Sequence, residues 1–380
     1  VLTLSMKNNR LLVATAICIC YSLFLQATFA RQQSPKLHNV RKVIELNQDW
    51  KFLKDPANHK VMPASTPGWT AVNLPHTWNA RDANESTSGY YRGAGWYKKI
   101  LNSVSAWRGR KIYLCFDGAN QETEVFVNGK RAGVHNGGYT RFVIPITELL
   151  NFEKKAQNVV SVKVNNRFNE HIAPLSGDFT FFGGIYRSVS LLILDPVHFN
   201  DDNFGASGFY ISTPEVTATN AKLRISGQVY NSSPDKKNLA LRNIVRDPHG
   251  QILSTSSIIM GPTASGKRVS FHYNLPAISS PKLWSPENPV LYTITSKIID
   301  VKTGAVLDEI QQKTGMRWFR FDPEQGFFLN GKAYKLMGTS RHQDYKGLGN
   351  AVPAALQIQD LRMIKAMVAN FLRFAHYPQD

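Results

Sequence analysis

The sequence has 380 residues, of which 43% are hydrophobic and 11% aromatic, with three cysteines. That excludes a disordered tail, a coiled coil and a disulfide-stapled mini-scaffold, and the length predicts two or three domains. Forty-five Lys and Arg against 27 Asp and Glu leave a formal charge of +18, which taken alone suits an anionic partner such as nucleic acid or a membrane surface.

Met6, Lys7 and Arg10 precede an apolar run from Leu11 to Leu25, and Thr28, Phe29 and Ala30 resemble a small-residue cleavage site. This pattern predicts a secretory signal peptide over 1–30, starting at Met6 and cut after Ala30, and a secreted or periplasmic protein. The run is about fifteen residues against the roughly 20 needed to span a bilayer, so no stable membrane anchor is expected after cleavage. Ile17 and Ile19 stand before Cys18 and Cys20, where a lipidation signal needs a small residue. Cys115 is then the single cysteine of the mature chain.

From Val43 to Leu194 the pattern is short strands and turns. Ile112, Leu114 and Phe116 alternate, Val125 to Val127 runs into the hairpin dipeptide Asn128-Gly129, and Val159 to Val164 and Ile185 to Leu194 follow. With no convincing long helix, residues 31–198 read as a β-sandwich or jelly roll. Asp195-Pro196 begins a break. A second β block over 199–313 holds strands around Leu223 to Val229, Leu239 to Val245, Val269 to Leu275 and Leu291 to Ile299, with Asp247 to Gly250 as a turn. Its size suits an immunoglobulin-like sandwich without the cysteine pair.

The pattern changes over 314–380. Phe327 to Leu329 leads into Asn330-Gly331, Tyr334 to Met337 is expected to be a short apolar strand, Ile358, Leu361 and Val368 recur at helical spacing, and Asn370 to Phe374 is expected to be a second strand. Strand–helix–strand order is the seed of a parallel α/β domain, here the incomplete start of a barrel. The fold class expected is therefore mainly β: jelly roll, immunoglobulin-like sandwich, then the first part of a (β/α)8 barrel. The segment from Tyr334 onward should expose apolar surface.

Candidate chemistry gathers where the two barrel strands end. GTSRHQDYKGLG carries Arg341, His342, Gln343 and Asp344, and NFLRFAHYP carries Asn370, Arg373, His376 and Pro378. The carboxyl ends of parallel strands are the face on which barrels build active sites. Trp78, Trp96 and Tyr97 could stack on a sugar or fill a core; the strand pattern favours core for Trp96 and Tyr97. Gly93 to Gly95 and Gly183-Gly184 lack the following helix of a phosphate loop and read as tight bends. There is no glycine–x–serine–x–glycine elbow and no zinc spacing, so no metal site is assigned.

These segments carry a resemblance. NFLRFAHYP is similar to the asparagine–x–x–arginine–x–x–histidine–tyrosine–proline signature of glycoside hydrolase family 2, and RHQDYKGLG resembles the preceding barrel loop of its β-galactosidase members. SGDFTFFGGIYRSV (Ser176 to Val189), LWSPENPVLY (Leu283 to Tyr292) and NLPHTWNARD (Asn73 to Asp82) fit in family order across almost the whole mature chain. The resemblance implies a secreted retaining glycosidase, a β-galactosidase first, with glucuronidases and mannosidases sharing the architecture. It implies that His342 and His376 bond sugar hydroxyls, that Asp178 reaches from the jelly roll into the sugar pocket, and that Asp344 binds sugar or shapes its loop. Asn370 and Arg373 stand behind these contacts as supports, and an arginine fork of this kind can lock a carboxylate. No cofactor is required, and a cation is left open with no cluster to hold it. The substrate implied is a β-galactoside oligosaccharide or glycan, and a homo-oligomer is allowed.

Retaining glycosidases need a nucleophile and an acid/base carboxylate about 5–5.5 Å apart. The resemblance places both family glutamates on later barrel strands, and only Gln379 and Asp380 follow Pro378. The 380-residue chain is therefore expected to show no turnover, and Glu324 matches no catalytic motif. Two alternatives stand beside this reading. One is a non-catalytic carbohydrate-binding protein. The other is a polyanion binder, disfavoured because Lys98-Lys99, Arg108 to Lys111 and Lys236-Lys237 are scattered rather than clustered, so no nucleic-acid partner is expected.

Overall fold

Along Glu122–Val127 every second side chain is buried, the mark of a strand with one face on a core. It turns back through Asn128 and Gly129 at φ 52° and 78°, the left-handed pair that a two-residue hairpin of matching twist requires. The computed structural model describes residues 40–85, 89–102, 105–200 and 204–380; the expected signal peptide lies outside them.

Two sheets build the first domain. A four-stranded sheet runs Lys42–Glu45, Val189–Leu194, Lys111–Phe116, Phe142–Pro145 in spatial order. A six-stranded sheet runs Thr70–Val72, Trp50–Asp55, Ala94–Asn102, Gln157–Asn165, Glu122–Val127, Lys130–Asn136, all antiparallel. Their inward residues, among them Trp50, Tyr97, Leu114, Phe116, Val162 and Leu191, form one apolar core. Trp96 and Trp78 are 1% and 9% exposed, Trp78 stacking on Phe52, so both are core residues. Gly95 lies beneath them because a Cβ there would sit 2.7 Å from Phe52 and 2.9 Å from Trp78. Cys115 is buried in the second face of the smaller sheet.

The second domain is also a two-sheet sandwich. Asn220–Asn231 is the centre of one sheet, paired with Val197–Phe199, Phe209–Val216, Lys267–Asn274 and Ile278–Ser279. The other runs Ile252–Thr263, Lys237–Arg246, Tyr292–Asp300, Val306–Thr314. A separate core of Phe199, Leu223, Leu241, Ile294 and Met316 lies between them. Arg41 bridges the two sandwiches through both oxygens of Asp308, at 3.1 and 2.6 Å, and Asp308 also accepts the Phe199 amide at 2.9 Å. A fully buried carboxylate is tolerated there because its oxygens are paired.

The third region opens with a three-stranded antiparallel sheet, Phe319–Asp322, Gly326–Leu329 and Lys332–Ala333, turning at Asn330 and Gly331. The parallel strand comes later than the apolar pattern indicated. Tyr334 to Met337 is not a strand; Gly338–Arg341 is, pairing in parallel with Phe371–Phe374 across the helix Ala354–Ala366. Pairing with a partner over thirty residues away, not local hydrophobicity, sets this register. The helix falls where its spacing predicts, and its apolar residues are exposed, as expected of the segment from Tyr334 onward. Ile358 and Leu361 are 49% and 47% exposed, and Gln357 is its buried residue. Leu336, Met337, Met367, Phe371 and Phe374 are exposed as well, so the strand–helix–strand unit carries an open apolar face. Residues 40–380 form one compact unit. Among the described residues no helix is long and apolar enough to cross a membrane.

Candidate active site

Parallel pairing ends at Arg341 and Phe374, and the next residues are His342 and, two further on, His376. The strand ends thus bring both imidazoles together, ring centres 5.2 Å apart and nearly perpendicular. From the jelly roll, the loop before Gly183 contributes Asp178, whose Oδ1 lies 3.7 Å from His376 Nε2. Phe179 follows it and packs against His342, His376 and Tyr377 at centroid distances of 6.1, 6.1 and 5.2 Å. Asp178 is 87% exposed and His376 38% exposed at the side chain, so a carboxylate and two imidazoles face open space over an aromatic floor. That arrangement can accept and donate hydrogen bonds to adjacent hydroxyls of a sugar ring.

Asp344 is exposed on the same loop. Its charge reaches Tyr377: burial first, then the Asp344 carboxylate, pushes that phenol up to about 12. Asn370 accepts the Met337 amide at 2.8 Å and donates to the Lys335 carbonyl at 3.0 Å. Arg373 lies beside a histidine of the site. Its Nη2 lies 3.3 Å from His376 Nδ1, because a strand residue three positions earlier sits beside that ring. Among the described residues no group of three or more His, Cys, Asp or Glu could hold a metal ion.

Sequence reasoning missed the framework behind the histidines. Arg341 pairs with Asp360 of the helix at 2.8 and 2.7 Å, and Tyr345 donates to the other Asp360 oxygen. Gln379 accepts from Arg341 Nη1 at 2.7 Å and donates back to the Arg341 carbonyl. Tyr139 of the jelly roll stacks on Tyr377 at 4.6 Å, within a buried cluster that includes Tyr186 and Ala351. The segment Ser176 to Val189 signalled only that this stretch mattered, not which residues of the barrel loops it meets.

A jelly roll, an immunoglobulin-like sandwich and the start of a barrel, with a carboxylate from the first over two strand-end histidines of the third, define a modular carbohydrate-active architecture. Residues 42–195 match the family model for glycosyl hydrolases family 2, sugar binding domain; 208–317 match glycosyl hydrolases family 2; and 323–380 match the family's TIM barrel domain. The chain belongs to glycosyl hydrolase family 2, as an N-terminal portion of that architecture. It is similar to a beta-glucuronidase of Bacteroides fragilis, 36% identical over 91% of this chain and 48% of that protein. A beta-galactosidase of Thermoanaerobacter pseudethanolicus is 30% identical over 89% of this chain and 44% of that protein. The crystal structure of Bacteroides uniformis beta-glucuronidase superposes with a TM-score of 0.83 at 40% identity, covering 90% of this chain and 40% of that one. The chain thus spans less than half the length of each.

Proposed function

We propose that the protein to which this chain belongs is a secreted or periplasmic retaining glycoside hydrolase that removes terminal β-glucuronosyl residues from glycans. The reading rests on one contrast: the glucuronidases above are 36% and 40% identical to this chain, the galactosidase 30%. The expected location follows from the basic-then-apolar pattern of residues 1–30.

Asp178, His342 and His376 serve as the groups that hold the hydroxyls of the reacting sugar. Hydrogen bonds of this kind raise the rate when they tighten as the ring flattens toward an oxocarbenium-like state, because only differential binding of the transition state accelerates the step. Two carboxylates supply the bond cleavage itself: one attacks the anomeric carbon while the other protonates the leaving oxygen, then activates water.

A β-galactoside is the second reading, favoured by the RHQD loop of Arg341 to Asp344. The reading frame holding this chain, expressed through whatever follows Asp380, should turn over 4-nitrophenyl β-glucuronide with kcat/KM at least about ten-fold above the β-galactoside, a difference of about 1.4 kcal/mol. The reverse order establishes the galactoside reading, and turnover of neither rejects the hydrolase. The 380-residue chain alone should hydrolyse neither. Within the active frame, His376→Ala should lower kcat/KM by about 100-fold, through loss of a charged or polar contact worth about 3 kcal/mol.

A further inference from the structure

Arg187 is a jelly-roll residue, yet its guanidinium spends its hydrogen bonds on two domains. It is 4% exposed. Nη1 donates to the Tyr139 and Asp117 carbonyls at 3.0 and 3.3 Å, both on the jelly roll. Nη2 donates to the Pro378 carbonyl at 2.6 Å and to Gln343 Oε1 at 3.3 Å. Gln343 directly follows His342, and Pro378 lies two residues after His376. One planar group thus touches both histidine-bearing loops at once.

The acceptor side is equally tied down. Gln343 is fully buried; its Oε1 also takes the Asp380 amide at 2.9 Å and its Nε2 donates to the Asn350 carbonyl at 3.3 Å. Gln343 is thereby bonded to its own loop, to the loop after His376 and to the jelly roll. Asp117 lies within electrostatic reach of this guanidinium. Buried arginine is costly unless its donors are used, and four acceptors here are backbone carbonyls or an amide oxygen fixed in place. Its Nε has no partner. A residue needed only to fill volume would not leave a buried donor unpaired, since an apolar side chain of similar shape would avoid that cost.

We propose that Arg187 is a positioning residue of the active site: it fixes the separation of His342 and His376 by clamping their loops to the jelly roll, so that the sugar-binding domain sets the geometry of the barrel's sugar contacts. The inference rests on the glycosidase reading for its kinetic consequence, but not for its structural one. A rigid planar fork suits the task, whereas a lysine ammonium could satisfy only part of the set. Sites lose rate steeply when supporting groups let them drift, about 100-fold for a displacement near 1 Å.

Two measurements test it. In the 380-residue chain, amide hydrogen exchange over 342–345 and 375–380 should quicken about ten-fold or more in Arg187→Met and less in Arg187→Lys, with exchange over 160–164 in the jelly-roll sheet unchanged. Exchange within two-fold of the parent in both loops overturns the proposal, whether or not the protein is a glycosidase. If Arg187→Met does not fold, Gln343→Leu, which leaves Arg187 its three carbonyl acceptors, should loosen the same two segments, and protection equal to the parent overturns the proposal. In the active frame, Arg187→Lys should lower kcat by about 100-fold with KM changed less than about five-fold, because contacts that tighten in the transition state are the ones misplaced. Loss confined to thermal stability, with kcat intact, assigns Arg187 a merely structural role. A parent inactive on both glycosides rejects the functional reading and leaves the exchange result to decide this one.

Discussion

Burial displaces His76 strongly from the ordinary imidazole value. It lies in the jelly-roll core beside Phe52, with Nδ1 2.8 Å from the Tyr97 hydroxyl, and burial lowers its pKa to about 4. The unfolded chain holds this imidazole near 6.5, so between pH 6.5 and 4 the unfolded state binds the extra proton. The stabilisation is complete above 6.5 and is lost as pH falls toward 4. At pH 5 the loss amounts to about 2 kcal/mol. His76→Gln, which keeps a hydrogen-bonding side chain but no titration, should show a smaller drop in Tm between pH 7 and pH 5 than the parent, by several degrees. Equal drops would mean that His76 is not the group responsible. The residues that sequence reasoning found and missed divide on similar physical lines. His342, His376 and Asp178 were legible because a short motif surrounds each. Arg187 and Gln343 were not: they meet 156 positions apart, and no local pattern marks either as half of a pair.

At the scale of elements, turns were the most legible feature and the barrel strands the least. Asn128-Gly129 and Asn330-Gly331 are read correctly because the left-handed conformation is a property of those residues alone. Gly338–Arg341 is polar and begins with glycine, so hydrophobic pattern passes over it for the apolar run just before. The glycine is there for its neighbour. A Cβ on Gly338 would lie 2.1 Å from the Phe371 carbonyl oxygen, inside any tolerable contact. Only a bare backbone lets these two parallel strands pair at their first rung, Gly338 with Phe371. Gly338→Ala should therefore push the strands apart and cost about 1–3 kcal/mol, in the range of an overpacked core. It should also shift His342 relative to His376, four and five residues downstream of that rung. The check is paired: a lowered Tm together with weaker exchange protection over 338–341 and 371–374. A variant with unchanged protection in both strands would show that the backbones have room to give. The exposed side chains of Met337, Phe371 and Phe374 belong to the same strand pair or its edge and leave apolar surface uncovered there.

For the molecule as a whole, the charge of +18 is the property most easily misread. Loss of residues 1–30 would remove Lys7 and Arg10 and leave +16. In the structure the positive groups are spread over all three regions and many are individually matched: Arg41 with Asp308, Arg131 with Glu124, Lys222 with Glu215, Lys297 with Glu309, Arg341 with Asp360. Others are held over aromatic rings, as Arg92 is over Phe181 and Arg317 over Trp284. A polyanion site needs several unpaired cations within reach of successive phosphates or sulfates, because affinity comes from releasing a counterion at each contact. Cations that already sit beside carboxylates release few. Binding of the chain to heparin or to DNA should therefore be weak, with elution from a heparin column below about 0.3 M salt. The same surface should still favour encounter with any anionic sugar at low ionic strength, because net charge acts over the Debye length of about 30 Å at 0.01 M but only about 8 Å at 0.15 M. In the active frame, kcat/KM for a glucuronide should fall several-fold across that salt range while the value for a neutral galactoside stays nearly constant. A glucuronide rate indifferent to salt would mean that the acidic sugar reaches its pocket without help from the field. Retention on heparin above 0.3 M would mean that a cluster of cations acts together on a polyanion, against the one-by-one matching of charges in this fold.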